Sequence, residues 1–277
     1  MKIHHAGKMG DLVYALPVLR ALARTRGEKV TLVTSAHCWQ MAPLLWEQPY
    51  IEDVEIDDSH PYEIVNNIWT GWDHFKNGEG INLSPQPAHY YPDSPISWTM
   101  AYAKIAGINE ITPADKVAFP TLINHRRFMA AHQAFMNGKA QEKPDTVIVA
   151  PESETLEFLG ADFWNHILRA VSKRGSRTIV IGCKKSPALE TDEDMRGHTT
   201  VPVLARLIAD ARGFIGAHSL PWHLARHSET PAICIQKFSD GLKRCIPVDT
   251  PCYWFEPEQS EEALTVLWRL MDALRDS

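Results

Sequence analysis

The chain alternates between short apolar runs and longer segments in which apolar residues recur every three or four positions. This alternation predicts β-strands followed by amphipathic helices, the order that builds a parallel sheet covered by helices. In the first part of the chain the pattern predicts strands at 2–5, 29–35 and 51–57 and helices at 11–25 and 37–48. The first part is therefore expected to form an α/β domain.

The same alternation starts again after a polar, proline-containing segment, residues 139–145, which is typical of a linker. The apolar runs of this second part predict strands at 146–151, 177–182, 213–216 and 231–236. The helices are predicted at 161–175, 201–211, 218–228 and 261–277. Two Rossmann-like halves joined by a linker are the simplest interpretation.

Residues 58–97 lack a regular pattern and are rich in proline, histidine, asparagine and aromatic residues. Helices are predicted on the C-terminal side of this segment at 97–108 and 122–138. The aromatic side chains of the segment either stack on a sugar or a base, or anchor the segment itself. They include Trp69, Trp72, Tyr90 and Tyr91.

Composition and charge narrow the functional classes. Of 277 residues, 44% are hydrophobic and 22% are charged, a globular balance, and the net charge of -6 argues against nucleic acid as a partner. The five cysteines form no C-x-x-C pair, and neither a signal peptide nor a membrane-spanning apolar run is recognisable. We therefore expect a cytoplasmic protein whose contact with a membrane, if any, is peripheral and at its inner face.

One carboxylate stands out in the stretch "HHAGKMGDLVYALPVLRAL", residues 4–22. Asp11 lies between a glycine-containing loop and a strongly apolar helix. It is either a helix cap, because a carboxylate there accepts free backbone N–H groups, or a catalytic group at the carboxyl end of a first strand. The two roles are compatible.

Two longer stretches carry a family resemblance. The stretch "MGDLVYALPVLRAL" (9–22) resembles the opening of the heptosyltransferases of lipopolysaccharide assembly, and "LARLIADARGFIGAHSLPWHLARHSETPAICI" (204–235) resembles their second signature. Weaker similarities are found in "AYAKIAGI" (101–108) and "TVIVAPES" (146–153). The resemblance implies a GT-B fold, in which two Rossmann-like parallel-sheet domains face a cleft.

The resemblance also implies that the two domains bind different substrates. Residues 1–140 would form the acceptor-side domain, 141–260 the nucleotide-sugar domain, and 261–277 a helix returning to the N-terminal domain. The implied reaction is an inverting transfer of a sugar from a nucleotide-diphosphate sugar to an acceptor hydroxyl, such as that of a glycan. Asp11 matches the aspartate proposed as general base in the family.

The remaining candidate residues surround the two substrates. On the acceptor side we expect Gly10, His4 and His5. The N-terminus of the helix near 217–220 would offer N–H groups to the donor phosphates. The donor side is expected to comprise Ser153, Gly182, Lys184, His218, Ser219 and His223.

The chain departs from the family pattern at the donor side. His218 stands where the family usually has aspartate, and Leu220 where it has glycine. The loop "PESETLEF" contains glutamates and no lysine, and its acidic groups would repel a diphosphate unless they turn away. The cationic charge would then come from Lys184 and Lys185.

Several alternatives stay open at this point. A non-catalytic relative that binds a sugar nucleotide or a glycan fits the same motifs, and so does the same chemistry on an acceptor such as modified DNA. No metal is expected, because the His223/His227 pair lacks the glutamate that follows the first histidine of a zinc helix. No cofactor is expected beyond the nucleotide sugar, and the donor, the acceptor and the oligomeric state are not determined.

Overall fold

A computed structural model describes nine parts of the chain. They are residues 1–5, 7–57, 64–65, 68–69, 80–84, 96–124, 145–153, 157–237 and 253–273, with only the backbone described at 64–65 and 68–69. The described residues fall into two compact units, the first comprising Met1–Thr121 and the second beginning at Leu122.

Unit 1 is built on a parallel sheet of four strands in the order β3-β2-β1-β6. Its strands are β1 (Lys2–His5), β2 (Val30–Thr34), β3 (Ile51–Ile56) and β6 (Ile81–Asn82), with a separate two-stranded hairpin of β4 (Ile64–Val65) and β5 (Ile68–Trp69). Its helices are α1 (Met9–Arg26), α2 (Ala42–Trp46), α3 (Trp98–Ile105) and α4 (Pro113–Lys116), with a 3-10 helix at Ala36–Met41.

The long helix α1 is held in place by its apolar face and by one ion pair. Leu12, Leu16 and Leu19 have no exposed surface, as expected for apolar residues at helical spacing. The helix ends where Gly27 adopts a left-handed conformation at φ 69°. Near that end, the Arg24 guanidinium pairs with the Asp115 carboxylate. These contacts hold the whole helix, and its first turn therefore stays close to the carboxyl end of β1, which ends four residues earlier at His5.

Unit 2 is built on a parallel sheet of six strands in the order β12-β11-β10-β7-β8-β9. Its strands are β7 (Thr146–Ala150), β8 (Arg177–Val180), β9 (Glu193–Asp194), β10 (Gly213–Gly216), β11 (Ala232–Ile235) and β12 (Tyr253–Phe255). Its helices are α5 (Ala161–Lys173), α6 (Val201–Asp210), α7 (Leu220–His227) and α8 (Ser260–Ala273), with a 3-10 helix at Pro257–Gln259. Because the strands are parallel, the loops that follow them share one edge of the sheet.

The last helix corrects one expectation. The 261–277 segment was expected to return to the N-terminal domain, but the described helix α8 belongs to unit 2. Its apolar residues Ala263, Leu264 and Leu267 lie in the same core as Trp164 of α5, and the helix contacts β11 and β12. The apolar stripe is satisfied within unit 2, since burial there removes it from water.

Other differences concern short elements. The segment 37–48 is a 3-10 turn followed by the short helix α2 instead of one helix, as Pro43 stands at the start of α2. The strands β6, β9 and β12 were not predicted, because two or three residues show no periodicity. The expected boundary at 140/141, most of the linker 139–145 and most of the helix 122–138 lie outside the described residues.

The prediction of two parallel-sheet domains is confirmed. Within the described parts of the chain, every helix is too short or too polar to cross a bilayer.

Candidate functional site

Asp11 is the third residue of α1, because the helix begins at Met9, two residues before the predicted start. Its Oδ2 accepts a hydrogen bond from the Lys8 backbone N–H at 3.2 Å, and Lys8 itself is extended. The carboxylate therefore does cap the first turn of the helix, as one of the two interpretations predicts. Its position after β1 also agrees with the catalytic interpretation.

The electrostatics of Asp11 are unusual for a capping carboxylate. Burial raises its pKa to about 6, although the hydrogen bond and the positive charge of Lys8 act in the opposite direction. An isolated carboxyl has a pKa near 4, and a base works best when its pKa lies close to the working pH. Asp11 is thus a stronger base than a solvated aspartate, yet it is largely ionised at neutral pH.

Gly7 brings His5 and Asp11 together. A Cβ placed on Gly7 would lie 2.7 Å from His5 Cε1 and 3.3 Å from Asp11 Cβ, so the absence of a side chain leaves room for both. The Gly7 carbonyl also accepts a hydrogen bond from Cys38 Sγ at 3.2 Å. Burial raises the pKa of the Cys38 thiol to about 12, so the group is a neutral donor.

His5 is a supporting residue of this cluster. It has no exposed surface, its Nε2 lies 3.4 Å from the Tyr102 hydroxyl of α3, and burial lowers its pKa to about 4. A neutral, fully buried imidazole cannot reach a ligand without movement. His4 is half-buried, and so is Gly10, which stands beside Asp11. The acceptor-side roles of these three residues stay predictions.

In unit 2, the N-terminus of α7 lies at the carboxyl edge of the sheet. Ser219 is the N-cap residue, but its hydroxyl donates to the Ala217 carbonyl at 3.2 Å instead of capping the helix. The Ser219 side chain therefore leaves the first turn of α7 without an N-cap hydrogen bond. Pro221 has no N–H, and the N–H groups of Trp222 and His223 donate to the Ser219 carbonyl, so this helix end favours an anion mainly through its dipole.

Ser153 ties the β7 loop to the start of α7. Its hydroxyl donates to the His218 carbonyl at 2.9 Å, while the His218 N–H donates to Gln236 Oε1 at 3.0 Å. Three loops, those after β7, β10 and β11, are thus linked at one edge of the sheet. Gln236 was not among the predicted residues, since nothing in the sequence distinguishes it from any glutamine that follows a strand.

His218, which precedes α7, and His223 within α7 belong to an aromatic cluster. The His218 ring lies 4.8 Å from that of His223, 5.2 Å from that of Trp222 and 5.5 Å from that of Trp254, measured between ring centroids. The Arg226 guanidinium carbon stands 4.7 Å from the centroid of the Trp222 ring. This cluster holds His218 and His223 next to the helix N-terminus.

Both histidines are neutral at physiological pH. Burial lowers the pKa of His218 to about 4, with the charge of Arg226 adding to the effect. Burial lowers the pKa of His223 well below its usual range, and electrostatic interactions with His218, Arg226 and His227 lower it further. The half-buried His218 can donate a hydrogen bond to a phosphate, whereas His223 is 2% exposed and cannot reach one without movement. The permanent positive charge of this cluster is that of Arg226.

The β8 loop differs from what we expected. Lys184 is exposed, and its backbone is left-handed at φ 62°. Gly182, at φ 144°, approaches the Glu152 carboxylate so closely that a Cβ would lie 2.8 Å from Glu152 Oε2. The Glu152 carboxylate turns towards this loop. Donor binding by Gly182 and Lys184 stays a prediction, since contact with Glu152 already explains the glycine.

The structure therefore brings the candidate residues into two groups. Asp11 and His5 meet around Gly7 in unit 1, and Ser153, His218, Ser219 and His223 meet around the start of α7 in unit 2. Sequence reasoning missed three buried residues that contact these groups, Gly7, Tyr102 and Gln236. Trp72, Tyr90 and Tyr91 lie outside the described residues.

Metal binding was not expected. Across the parts of the chain that the structure describes, no group of three or more histidines, cysteines or acidic residues is arranged to hold a metal ion.

Comparison with known proteins places the fold. No protein-family model matches the chain, and no curated protein matches its sequence. Solved glycosyltransferase structures are nevertheless similar over nearly its whole length. A family 9 glycosyl transferase from Veillonella parvula is 12% identical with a TM-score of 0.64, and the match covers 97% of both chains.

Two Escherichia coli enzymes are similar to the same extent. The heptosyltransferase WaaC with ADP is 11% identical with a TM-score of 0.61, covering 98% of this chain and 100% of that one. The ADP-heptose lipopolysaccharide heptosyltransferase II is 11% identical with a TM-score of 0.58, covering 97% and 99%. At such low identity these likenesses establish the fold alone. The chain has the GT-B fold of these glycosyltransferases, and the resemblance seen in its sequence is confirmed at that level.

Proposed function

We propose that this protein is an inverting glycosyltransferase that moves a sugar from a nucleotide-diphosphate sugar to an acceptor hydroxyl, with Asp11 as general base. The observation that carries the proposal is the raised pKa of Asp11, about 6, in the first turn of α1, close to the carboxyl end of β1. A carboxylate that serves only as a helix cap is most stable as an anion when it is fully solvated or fully hydrogen-bonded. The partial burial of Asp11 instead suits a base, because it raises the pKa towards the working pH.

The proposed step balances as a single displacement. The acceptor oxygen forms a bond to the anomeric carbon while the bond from that carbon to the donor phosphate oxygen breaks. The electron pair of that bond leaves with the nucleoside diphosphate, and the hydroxyl proton passes to the Asp11 carboxylate. Attack and departure on opposite faces of the sugar invert the anomeric centre.

The donor phosphates are assigned to the N-terminus of α7 in unit 2. The dipole of this helix and the Arg226 guanidinium favour a negative charge here. The His218 imidazole would donate a hydrogen bond to it, and so would the Ser219 hydroxyl on leaving the Ala217 carbonyl and the buried His223 after a movement. Two of the similar proteins are described with ADP or with ADP-heptose. ADP is therefore the first nucleotide to test.

The test is a thermal shift followed by turnover. ADP, UDP, GDP and CMP are each titrated into the purified protein, and we expect one diphosphate to raise Tm saturably without added divalent metal. The corresponding sugar nucleotides are then assayed for release of the nucleotide with and without candidate acceptors. Activity should rise with pH through about 6, since Asp11 must be ionised to act as a base.

A non-catalytic relative gives a different result in the same experiment. It would bind the nucleotide or a glycan, yet release no nucleoside diphosphate from any donor–acceptor pair. The departures at His218 and in the 151–158 loop favour this alternative, whereas the environment of Asp11 favours the enzyme. A Tm that no nucleotide changes would contradict both the enzyme and a nucleotide-binding relative, and would leave a relative that binds a glycan.

A further inference from the structure

The loop that follows β8 converges on the side chain of Glu152. The backbone N–H of Cys183 donates to Glu152 Oε2 at 2.7 Å, and those of Lys185 and Ser186 donate to Oε1 at 2.9 and 2.8 Å. The Ser186 hydroxyl donates to the same Oε1 at 2.5 Å. Both carboxylate oxygens are thereby bound by donors from one short loop.

A buried cation completes this arrangement. The Arg196 side chain is only 1% exposed, and its Nη1 lies 3.6 Å from Glu152 Oε1 and 2.6 Å from Ser186 Oγ. Arg196 also pairs with Asp194, its Nη2 standing 2.7 Å from Asp194 Oδ2. The Glu152 side chain is itself 8% exposed, so its carboxylate and the Arg196 guanidinium are both shielded from solvent.

The backbone of the loop is shaped for an anion. Gly182 at φ 144° and Lys184 at φ 62° turn the chain so that N–H groups of neighbouring residues point at one place. Concave turns of this kind, called nests, bind phosphates and other anions in many proteins. Here the occupant is a carboxylate of the chain itself.

We propose that residues 183–186 and Arg196 form an anion-binding site for a carboxylate-sized ligand, and that Glu152 fills it as an internal ligand. Removal of the Glu152 carboxylate then leaves a site that a small free carboxylate such as formate enters. The site differs from the α7 N-terminus, to which the donor phosphates are assigned.

Occupation of this site has a consequence for the neighbouring donor side. Glu152 precedes Ser153, whose hydroxyl holds the His218 carbonyl at 2.9 Å. A fixed Glu152 side chain therefore fixes Ser153 and, through it, the loop before α7. Because it occupies the N–H groups of Cys183, Lys185 and Ser186, the Glu152 carboxylate also keeps a phosphate from binding to them. This part rests on the proposed function and makes Glu152 a positioning residue.

The experiment uses chemical rescue of Glu152→Ala. We expect this variant to have a lower Tm than the wild type and to regain a large part of the loss, saturably, in sodium formate but not in sodium chloride of equal ionic strength. Wild-type protein and Glu157→Ala serve as controls. Glu157 is on the same loop, but it is 77% exposed and contacts only Lys237 among the described residues. Neither control should respond to formate.

Glu152→Gln separates a specific site from a general salt effect. Its amide fills the same space but turns an NH₂ group towards backbone donors, so we expect a lowered Tm that formate does not restore. An equal formate response in both Glu152 variants would overturn the proposal. If Glu152→Ala folds only when formate is present, this dependence supports the proposal, and failure to fold regardless of formate contradicts it.

A second readout tests the positioning role. With the donor identified as above, Glu152→Ala should raise the donor KM several-fold with a smaller change in kcat, and formate should reverse the rise. A KM equal to that of the wild type would overturn the positioning role. If no nucleotide binds the wild-type protein, the proposed function fails while the formate result still decides the anion site.

Discussion

The segment that follows the first strand of each unit contains a partly buried acidic residue, and the two carboxylates have opposite properties. After β1, the Asp11 carboxylate accepts the Lys8 N–H, its one donor among the described residues, and burial raises its pKa to about 6. After β7, burial also opposes ionisation of Glu152, but hydrogen bonds from Ser186, Cys183 and Lys185 outweigh it and hold its pKa below the usual range.

The difference shows how two carboxylates that each follow the first strand of a unit can serve different functions, one as a structural anion and the other as a candidate base. A carboxylate that receives several donors is stabilised as an anion and has little tendency to take a proton. A carboxylate that is buried with few donors keeps its affinity for a proton. The number of N–H groups aimed at each side chain therefore separates a structural anion from a candidate base.

The largest effect should come from Asp11→Asn. The amide keeps the cap on Lys8 but cannot accept a proton, so the transfer rate should fall by roughly 10²–10⁴-fold. Donor binding, measured by titration, should stay near the wild-type value. The matched control is Asp162→Asn, which changes an exposed aspartate in the first turn of α5. Turnover of Asp11→Asn within a few-fold of the wild type would leave Asp11 as a cap alone.

Alanine at Gly7 or Gly182 would disturb the two carboxylate loops by different routes. At Gly7 the new Cβ would meet the buried His5 ring at 2.7 Å, and we expect a loss of roughly 1–3 kcal/mol in the free energy of unfolding. At Gly182 it would meet Glu152 Oε2 at 2.8 Å and also force alanine to φ 144°, so the loss should be larger.

Gly107→Ala is the control for these two substitutions. Gly107 has φ 70°, but among the described residues no neighbouring atom lies within 4 Å of the place that an alanine Cβ would take. The variant therefore reports the cost of the backbone conformation alone. Chemical denaturation of the three variants gives the comparison. A loss at Gly182 no larger than that at Gly107 would contradict the close approach of Glu152.

The pH dependence of stability should have opposite signs for the two carboxylates. Between 3.8, the ordinary pKa of Asp11, and about 6, the folded protein holds a proton that the unfolded chain has lost, so the Asp11 contribution falls as the pH rises. Asp11→Asn should therefore be more stable than the wild type at pH 7, by roughly 1–3 kcal/mol, and equal to it near pH 4.

Glu152→Gln should behave in the reverse way. The lowered pKa of Glu152 stabilises the fold above the ordinary carboxyl pKa, and this contribution is lost as the pH falls through the folded-state value. The variant should be less stable than the wild type at pH 7, with a difference that shrinks in acid. Urea unfolding at a series of pH values tests both signs, and parallel curves for the two variants would contradict the comparison.

The smallest effect should come from Glu157→Ala. Glu157 and Lys237 are 77% and 66% exposed, and their charged atoms stand 3.4 Å apart, the geometry of a weak surface pair. We expect no measurable change in Tm by differential scanning calorimetry. A clear loss would mean that the 157 end of the loop supports Glu152, and the contrast between the two glutamates would be weaker.

The sequence by itself determined the alternating architecture and the place of Asp11. Periodic apolar residues such as Leu12, Leu16 and Leu19 predict a helix whatever surface it packs against. The sequence also shows directly that a carboxylate lies between the glycines and the apolar part of that helix. The same holds for β7 and β10, whose apolar runs are long enough to be recognised. Short strands such as β9 were not recognised in the sequence, because two residues form a strand only through pairing with a neighbouring strand.

Only the tertiary structure decided which groups face each carboxylate. In sequence, Glu152 is one acid in a loop that ought to repel phosphate; in space, the 183–186 loop some thirty residues away turns its N–H groups towards it. Likewise, the apolar stripe of α8 indicates that this helix is buried, but not against which sheet. Burial and hydrogen bonding between distant segments depend on the order of the strands in each sheet. Local sequence patterns do not determine that strand order.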